Sequence, residues 1–283
     1  MKEYDKYLKL LKEKYPTKQS VYRELINLNA IMNLPKGTEH FMSDLHGEYD
    51  AFYHIINNCS GVIREKVAML YGDELTVYEQ QELCTLIYYP REKLSILMDE
   101  NKVNDEWYRN VLNQLIQIAK LLSSKYTRSK VRKAMPVDFA YIIDELIHAQ
   151  KDEDDNRSVY HRQIMETILS LHNGDEFLVA LTDLIKRLAV DHLHILGDIY
   201  DRGAHADKIL DLLMEHHSVD IQWGNHDILW MGAFCGNPVC MALVVRNNIK
   251  YKTMSILENG YGICLRFLLQ FAVNTYSDKN LFL

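Results

Sequence analysis

His192-Leu193-His194-Ile195-Leu196-Gly197-Asp198-Ile199-Tyr200-Asp201-Arg202-Gly203 is the stretch whose reading decides the fold. His192 and His194 alternate with Leu193 and Ile195, and the run 192–196 reads as a strand. The strand runs straight into a glycine turn dense in acidic and basic side chains, and a helix is predicted around His205–His217. Strand, glycine turn, helix is the grammar of an α/β layer, in which polar clusters collect at the C-terminal ends of strands.

Two further segments repeat that grammar. Thr38–Ser43 reads as a short strand that ends in Asp44-Leu45-His46-Gly47 and leads to a helix over about Glu48–Asn58. Val219–Trp223 reads as another short strand, ending in Gly224-Asn225-His226-Asp227. Glycines at these points let the backbone turn sharply and approach a ligand. Aspartate, asparagine and histidine are oxygen and imidazole donors suited to manganese, iron, zinc or magnesium. Two such ions a few ångströms apart polarise a phosphoryl group and ionise a water. Arginine, as at Arg202, matches phosphate oxygens bidentately.

Between these segments the character changes. Residues 3–33 read as helix, broken by Pro35-Lys36-Gly37. Residues 62–150 carry long helical periodicities with few glycines, for example Trp107, Val111, Leu115, Ile118, Ala119 and Leu122, which read as core. Lys151–Asn156 reads as a polar, solvated connector, and a helix pair follows up to Ala189. The expected organisation is α/β (α+β), with residues 1–60 and 190–283 forming a metal-bearing layer structure and residues 61–189 a helical insertion. The remainder after Asp227 is expected to be largely helical.

Composition narrows the function classes. The net charge of −7 gives no basic field for nucleic acid or for an anionic membrane. No run approaches the roughly 18 apolar residues of a membrane span, and the charged N-terminus lacks the pattern of a signal peptide. Five scattered cysteines, an odd number, fit a reduced cytoplasmic setting better than a disulfide framework.

The three motifs in this order resemble the signature of the calcineurin-like metallophosphatases. That resemblance implies Asp44 and His46 as ligands of a first metal, Asp198 as a bridge, and Asn225 as a ligand of a second. It also implies His226, paired with Asp201, as proton donor to the leaving group, with Arg202 holding the phosphate. The wording of Phe41–Tyr49, Leu196–Gly203 and Gln222–Ala233, with the long helical insertion, is similar to the class III fructose-1,6-bisphosphatases of Firmicutes and related bacteria. The likeness runs through nearly the whole chain but covers only the N-terminal part of that family's length.

It implies hydrolysis of the 1-phosphate of fructose 1,6-bisphosphate in gluconeogenesis, by a water activated between two metal ions, with Mn²⁺ favoured. The family pattern asks for two more histidines downstream, whereas the twelve histidines here stop at His226. Two alternatives therefore stand beside it: a metallophosphatase of another phosphoester, or an inactive chain with a binding role. An incomplete layer would also expose apolar surface. The helical insertion could cover the site or form a subunit contact in a homo-oligomer.

Other histidines and cations receive blander readings. His192 and His194 alternate with Leu193 and Ile195 and read as sheet-face residues. His205, His216 and His217 read as surface or capping residues of the following helix, and His40 and His54 lie off the motif. Arg246 and Lys250 read as a solvated helix face, Tyr200 as packing, and Cys235 and Cys240 as no zinc site.

Overall fold

The computed structural model describes residues 2–149 and 155–276. Helices α1 (Lys2–Lys14) and α2 (Lys18–Ile31) replace the single predicted N-terminal helix. Pro16 lacks the N–H a continuing helix would need. Thr17 then caps α2, accepting from Ser20 N–H at 3.1 Å. Strand β1 (Glu39–Met42) follows, then α3 (Tyr49–Asn58).

The block expected to be helical is helical. It comprises α4 (Val62–Tyr71), α5 (Val77–Tyr88), α6 (Pro90–Asp99), α7 (Asp105–Ser123), α8 (Arg128–Ala134) and α9 (Ala140–His148). Helices α10 (Asp155–Ser170) and α11 (Gly174–Ala189) complete it. The connector predicted over Lys151–Asn156 lies largely outside the described residues, although Asp155 and Asn156 already belong to α10. The apolar positions of α7 recur at i, i+3 and i+4, so one broad face is buried, from Val111 and Leu112 to Ala119 and Leu122. That face packs on α11, whose Phe177, Leu181, Leu184 and Ile185 are fully buried. Burial of each such side chain contributes about 1.5–3 kcal/mol, so this core is held by its own apolar volume.

Strand β2 (His192–Ile195), α12 (Ala206–Glu215) and β3 (Val219–Ile221) come next. They are followed by α13 (Asn225–Phe234), α14 (Pro238–Tyr251), a π turn (Ile256–Gly260) and α15 (Arg266–Tyr276). The sheet is a parallel one of order β1-β2-β3, with Phe41 opposite His194 and His194 opposite Asp220. Parallel neighbours need crossovers; the one from β1 to β2 contains the entire helical block. A second apolar core, from Leu45 and Phe52 through Leu193, Ile195 and Ile199 to Ile209 and Leu213, covers one face of the sheet. Apolar residues beyond it stay exposed, among them Phe41, Trp223, Phe234 and Phe267. Among the described residues no helix is long and apolar enough to cross a membrane, and all five cysteines are free.

Where the helical block meets the sheet there is a cavity of about 410 Å³, lined by His40, Cys59, Lys186, Arg187, His216 and His217 among others. His216 ends α12, with its Nδ1 3.1 Å from the Ser218 carbonyl oxygen. Burial, and then the neighbouring His217, push its pKa down to about 4. The unfolded value is about 6.5, so between these two pH values the unfolded chain binds more protons than the folded one. Stability attributable to His216 is therefore present above about pH 6.5 and is lost as pH falls towards 4. We expect the urea midpoint to fall between pH 7 and pH 5, and His216→Asn to make that fall shallower; an unchanged slope in the variant would contradict the assignment.

Candidate active site

The three motif turns meet at the C-terminal ends of β1, β2 and β3. Their backbones are unusual. Asp44 (φ 54°), His46 (φ 48°) and Asp198 (φ 53°) all occupy the left-handed region, which costs non-glycine residues on the order of 1–3 kcal/mol each and collects at functional sites. Gly47 (φ 66°) also lies there, and a Cβ on it would stand 2.6 Å from the Gly203 carbonyl oxygen. A Cβ on Gly224 would overlap Asp198 Oδ1 and its backbone nitrogen. The first and second turns are stitched by His46 N–H to the Asp198 carbonyl (2.9 Å) and Gly203 N–H to the His46 carbonyl (2.6 Å).

The second and third turns are joined by a residue to which the sequence reading gave no role. Asp227 is 9% exposed. Its Oδ1 accepts from the N–H groups of Ile199 (3.0 Å) and Tyr200 (3.1 Å), and its Oδ2 from that of Gly224 (2.8 Å). It stands at the third position of α13, where a carboxylate can accept the N–H at the helix start. An aspartate three residues after a turn glycine was the available signal; the reach to Ile199 and Tyr200 was not visible in sequence.

Asp201 is the meeting point of the functional side chains. Its own side chain is 7% exposed, and it draws His226 Nε2 to 3.3 Å, His46 Nε2 to 3.4 Å and Arg202 Nε to 2.6 Å. The carboxylate raises the Arg202 pKa, chiefly through that hydrogen bond. His46 Nε2 also lies 3.6 Å from Asp44 Oδ1. Ligands bound side by side on one ion at ~2.1 Å stand about 3.0–3.4 Å apart, so this pair needs little movement to share one. Asp198 turns its Oδ1 to the His226 backbone N–H at 3.4 Å. Asn225 opens α13 with its side chain exposed. The donors are carboxylate, imidazole and amide, a set that fits hard and borderline divalent ions. Asp44, His46 and Asp198 are nevertheless not drawn into one tight group: among the described residues the only such trio of histidine, cysteine and acidic side chains is His192, His194 and Asp220.

The residues read as bystanders lie elsewhere. His40 Nδ1 contacts Ser60 Oγ at 3.2 Å and His54 Nδ1 contacts the Tyr89 hydroxyl at 2.6 Å. Tyr200 packs on Trp230, ring centroids 4.4 Å apart, and its hydroxyl meets that of Tyr261. Arg246 and Lys250 are exposed on α14.

With this geometry in hand, comparison with known proteins places the chain. Residues 6–282 match the profile of the Firmicute fructose-1,6-bisphosphatases. The chain belongs to this family. It is similar to the class 3 fructose-1,6-bisphosphatase of Clostridium beijerinckii, 52% identical over 295 residues that take in 100% of this chain and 44% of that protein. The Listeria monocytogenes class 3 enzyme is 54% identical over 273 residues, 96% of this chain and 42% of its own length. That of Bacteroides fragilis is 51% identical over the same span, 41% of its length. The chain thus spans less than half the length of these relatives. No solved structure matches it.

Removing the Asp227 carboxylate would strand three N–H groups at the junction of the second and third turns. Each unsatisfied buried donor costs about 1–3 kcal/mol. Asp227→Ala should therefore lower the unfolding free energy by at least about 3 kcal/mol, measured by urea denaturation; a loss under ~1 kcal/mol would show that the junction is held by other contacts.

Proposed function

We propose that this chain carries the N-terminal part of a two-metal phosphoesterase centre, and that the reaction it serves is hydrolysis of the 1-phosphate of fructose 1,6-bisphosphate in gluconeogenesis. The observation that carries the reading is the convergence of His46, His226 and Arg202 on the buried Asp201 carboxylate. Residues from all three motifs thereby share one small volume at the ends of three parallel strands. Family membership supports the same reading.

On this proposal Asp44 and His46 would hold a first divalent ion and Asn225 a second, with Asp198 shared between them. The favoured ion is Mn²⁺. When bound, such ions polarise the phosphoryl group and ionise a water. The chain's own residues supply the rest. Arg202 has its Nε engaged by Asp201 while its side chain remains 60% exposed, so its outer nitrogens can hold phosphate oxygens. His226 has Asp201 Oδ1 at its Nε2, 3.3 Å away, which orients the ring. Its other nitrogen can pass a proton to the departing sugar oxygen.

The wider architecture belongs to the same proposal. Residues 1–60 and 190–283 are assigned to a calcineurin-like layered domain, incomplete at its C-terminal side, and residues 61–189 to a helical insertion. The largest apolar core lies almost wholly within residues 61–189 and two smaller ones lie outside it, which supports that division. Exposed Trp223, Phe234 and Phe267 support incompleteness of the layers. A cytoplasmic setting, a sugar bisphosphate partner and a homo-oligomer complete the reading.

A second reading rests on one observation: no histidine follows His226 in the 283 residues, which leaves Asp198 and Asn225 as the motif donors to the second ion. In that case the chain has a binding or assembly role and does not turn over substrate. Phosphate release from fructose 1,6-bisphosphate, measured with added Mn²⁺ beside an Asp198→Asn control, separates the two. Because loss of an outer-shell partner alone costs 10–100-fold, loss of the bridging carboxylate should cost about 100-fold or more. Equal turnover in control and parent would refute the bridging role, and no turnover from either folded protein would establish the second reading.

A further inference from the structure

The sheet has a second face that the phosphoesterase centre does not use. Successive residues of a strand point to opposite sides. Leu193 and Ile195 enter the core, so His192 and His194 share the other face of β2. Register sets Asp220 of β3 directly beside His194 and Phe41 of β1 on its other side.

These side chains converge. His192 Nε2 lies 3.2 Å from Asp220 Oδ2, and His194 Nδ1 lies 2.9 Å from Oδ1 and 3.0 Å from Oδ2. One ligand-type atom from each residue lies within 4.8 Å of those of the other two. A tetrahedral ion with bonds of ~2.0–2.1 Å spaces its ligands by about 3.3 Å, so modest side-chain rotations would seat one. The rings are also supported from behind. His192 Nδ1 is 2.7 Å from Ser218 Oγ; in the tautomer that donates to this hydroxyl, Nε2 presents its lone pair towards Asp220. Such an outer partner on the far ring nitrogen is the usual companion of a metal-bound imidazole. Phe41 stacks on His194 at 4.3 Å with planes 14° apart, which orients the second ring.

We propose that His192, His194 and Asp220 form a site for a divalent transition-metal ion of the zinc class, separate from the centre built on Asp44, His46, Asp198 and Asn225. Two imidazoles and one carboxylate select borderline ions such as Zn²⁺ over Mg²⁺ or Ca²⁺, which prefer all-oxygen shells. Three protein ligands leave a fourth position for water or an anion. The ion would clamp β2 to the short edge strand β3. Those strands lead directly to Asp198 and to Asn225, so the clamp would fix the spacing of the second and third motif turns. The inference does not depend on the proposed reaction.

The test is Zn²⁺ titration of the whole chain by calorimetry, with Co²⁺ absorption as a report of coordination. Three variants are compared with the parent: Asp44→Asn/Asp198→Asn, His192→Ala/His194→Ala and Asp220→Asn. Far-UV circular dichroism checks folding. The first variant should keep a Zn²⁺ site and a four-coordinate Co²⁺ spectrum, and the second should bind one equivalent fewer than the parent. Asp220→Asn, nearly the same in shape at an exposed position, should bind at least about 10-fold more weakly. Saturating Zn²⁺ should also raise the unfolding temperature of the first variant by roughly 5 °C. Unchanged stoichiometry and affinity in the folded double-histidine variant would overturn the proposal. If that variant does not fold, unchanged affinity in Asp220→Asn overturns it alone.

Discussion

Asp227 holds a carboxylate against N–H groups from two strand ends, and the geometry of the candidate site depends on that clamp. Its two oxygens reach Ile199 and Tyr200 after β2 and Gly224 after β3. Buried donors tolerate no gap in their hydrogen bonding, so the clamp sets where Asp198 stands relative to Asn225 and His226. Glycine makes the approach possible, since any side chain at Gly224 would collide with Asp198. The strained turns at Asp44, His46 and Asp198 are tolerated because these contacts over-determine them.

The surroundings divide the labour between stability and chemistry. The helical block buries a continuous apolar core through α7 and α11 and contributes no residue to the convergence on Asp201. It lies within the crossover between β1 and β2, which pair in parallel register. The sheet is small, and its second core involves α3 and α12 on one face. Its other face holds the two histidines and Asp220, with Phe41 beside them.

Electrostatics at the site follow from unequal burial. Asp201 is almost wholly covered, whereas Arg202 and Asp44 face solvent. A covered polar group needs hydrogen-bonding partners, and Asp201 takes them from the histidines and arginine of the three motifs. One carboxylate thus orients an arginine and two imidazoles. At the seam the balance differs: burial, and then the neighbouring His217, favour the neutral form of His216.

The strand-turn-helix grammar, the helical character of the long block between β1 and β2 and the residue types at the three turns were legible in the sequence. These are local properties: period-2 and period-3.6 patterns and turn glycines are written in consecutive residues. Pro16 shows the limit even there: the helical pattern runs on through residues 3–33, yet one residue without an N–H divides it into two helices. The tertiary structure alone decided that Asp227 ties two turns together, that Asp201 gathers His46 as well as His226, and that His192 and His194 meet Asp220. Each of those facts pairs residues far apart in the chain, through the register of parallel strands and the close approach of turns. Neither is encoded in any one segment, because the distance between two strand ends is set by the crossovers and cores that separate them.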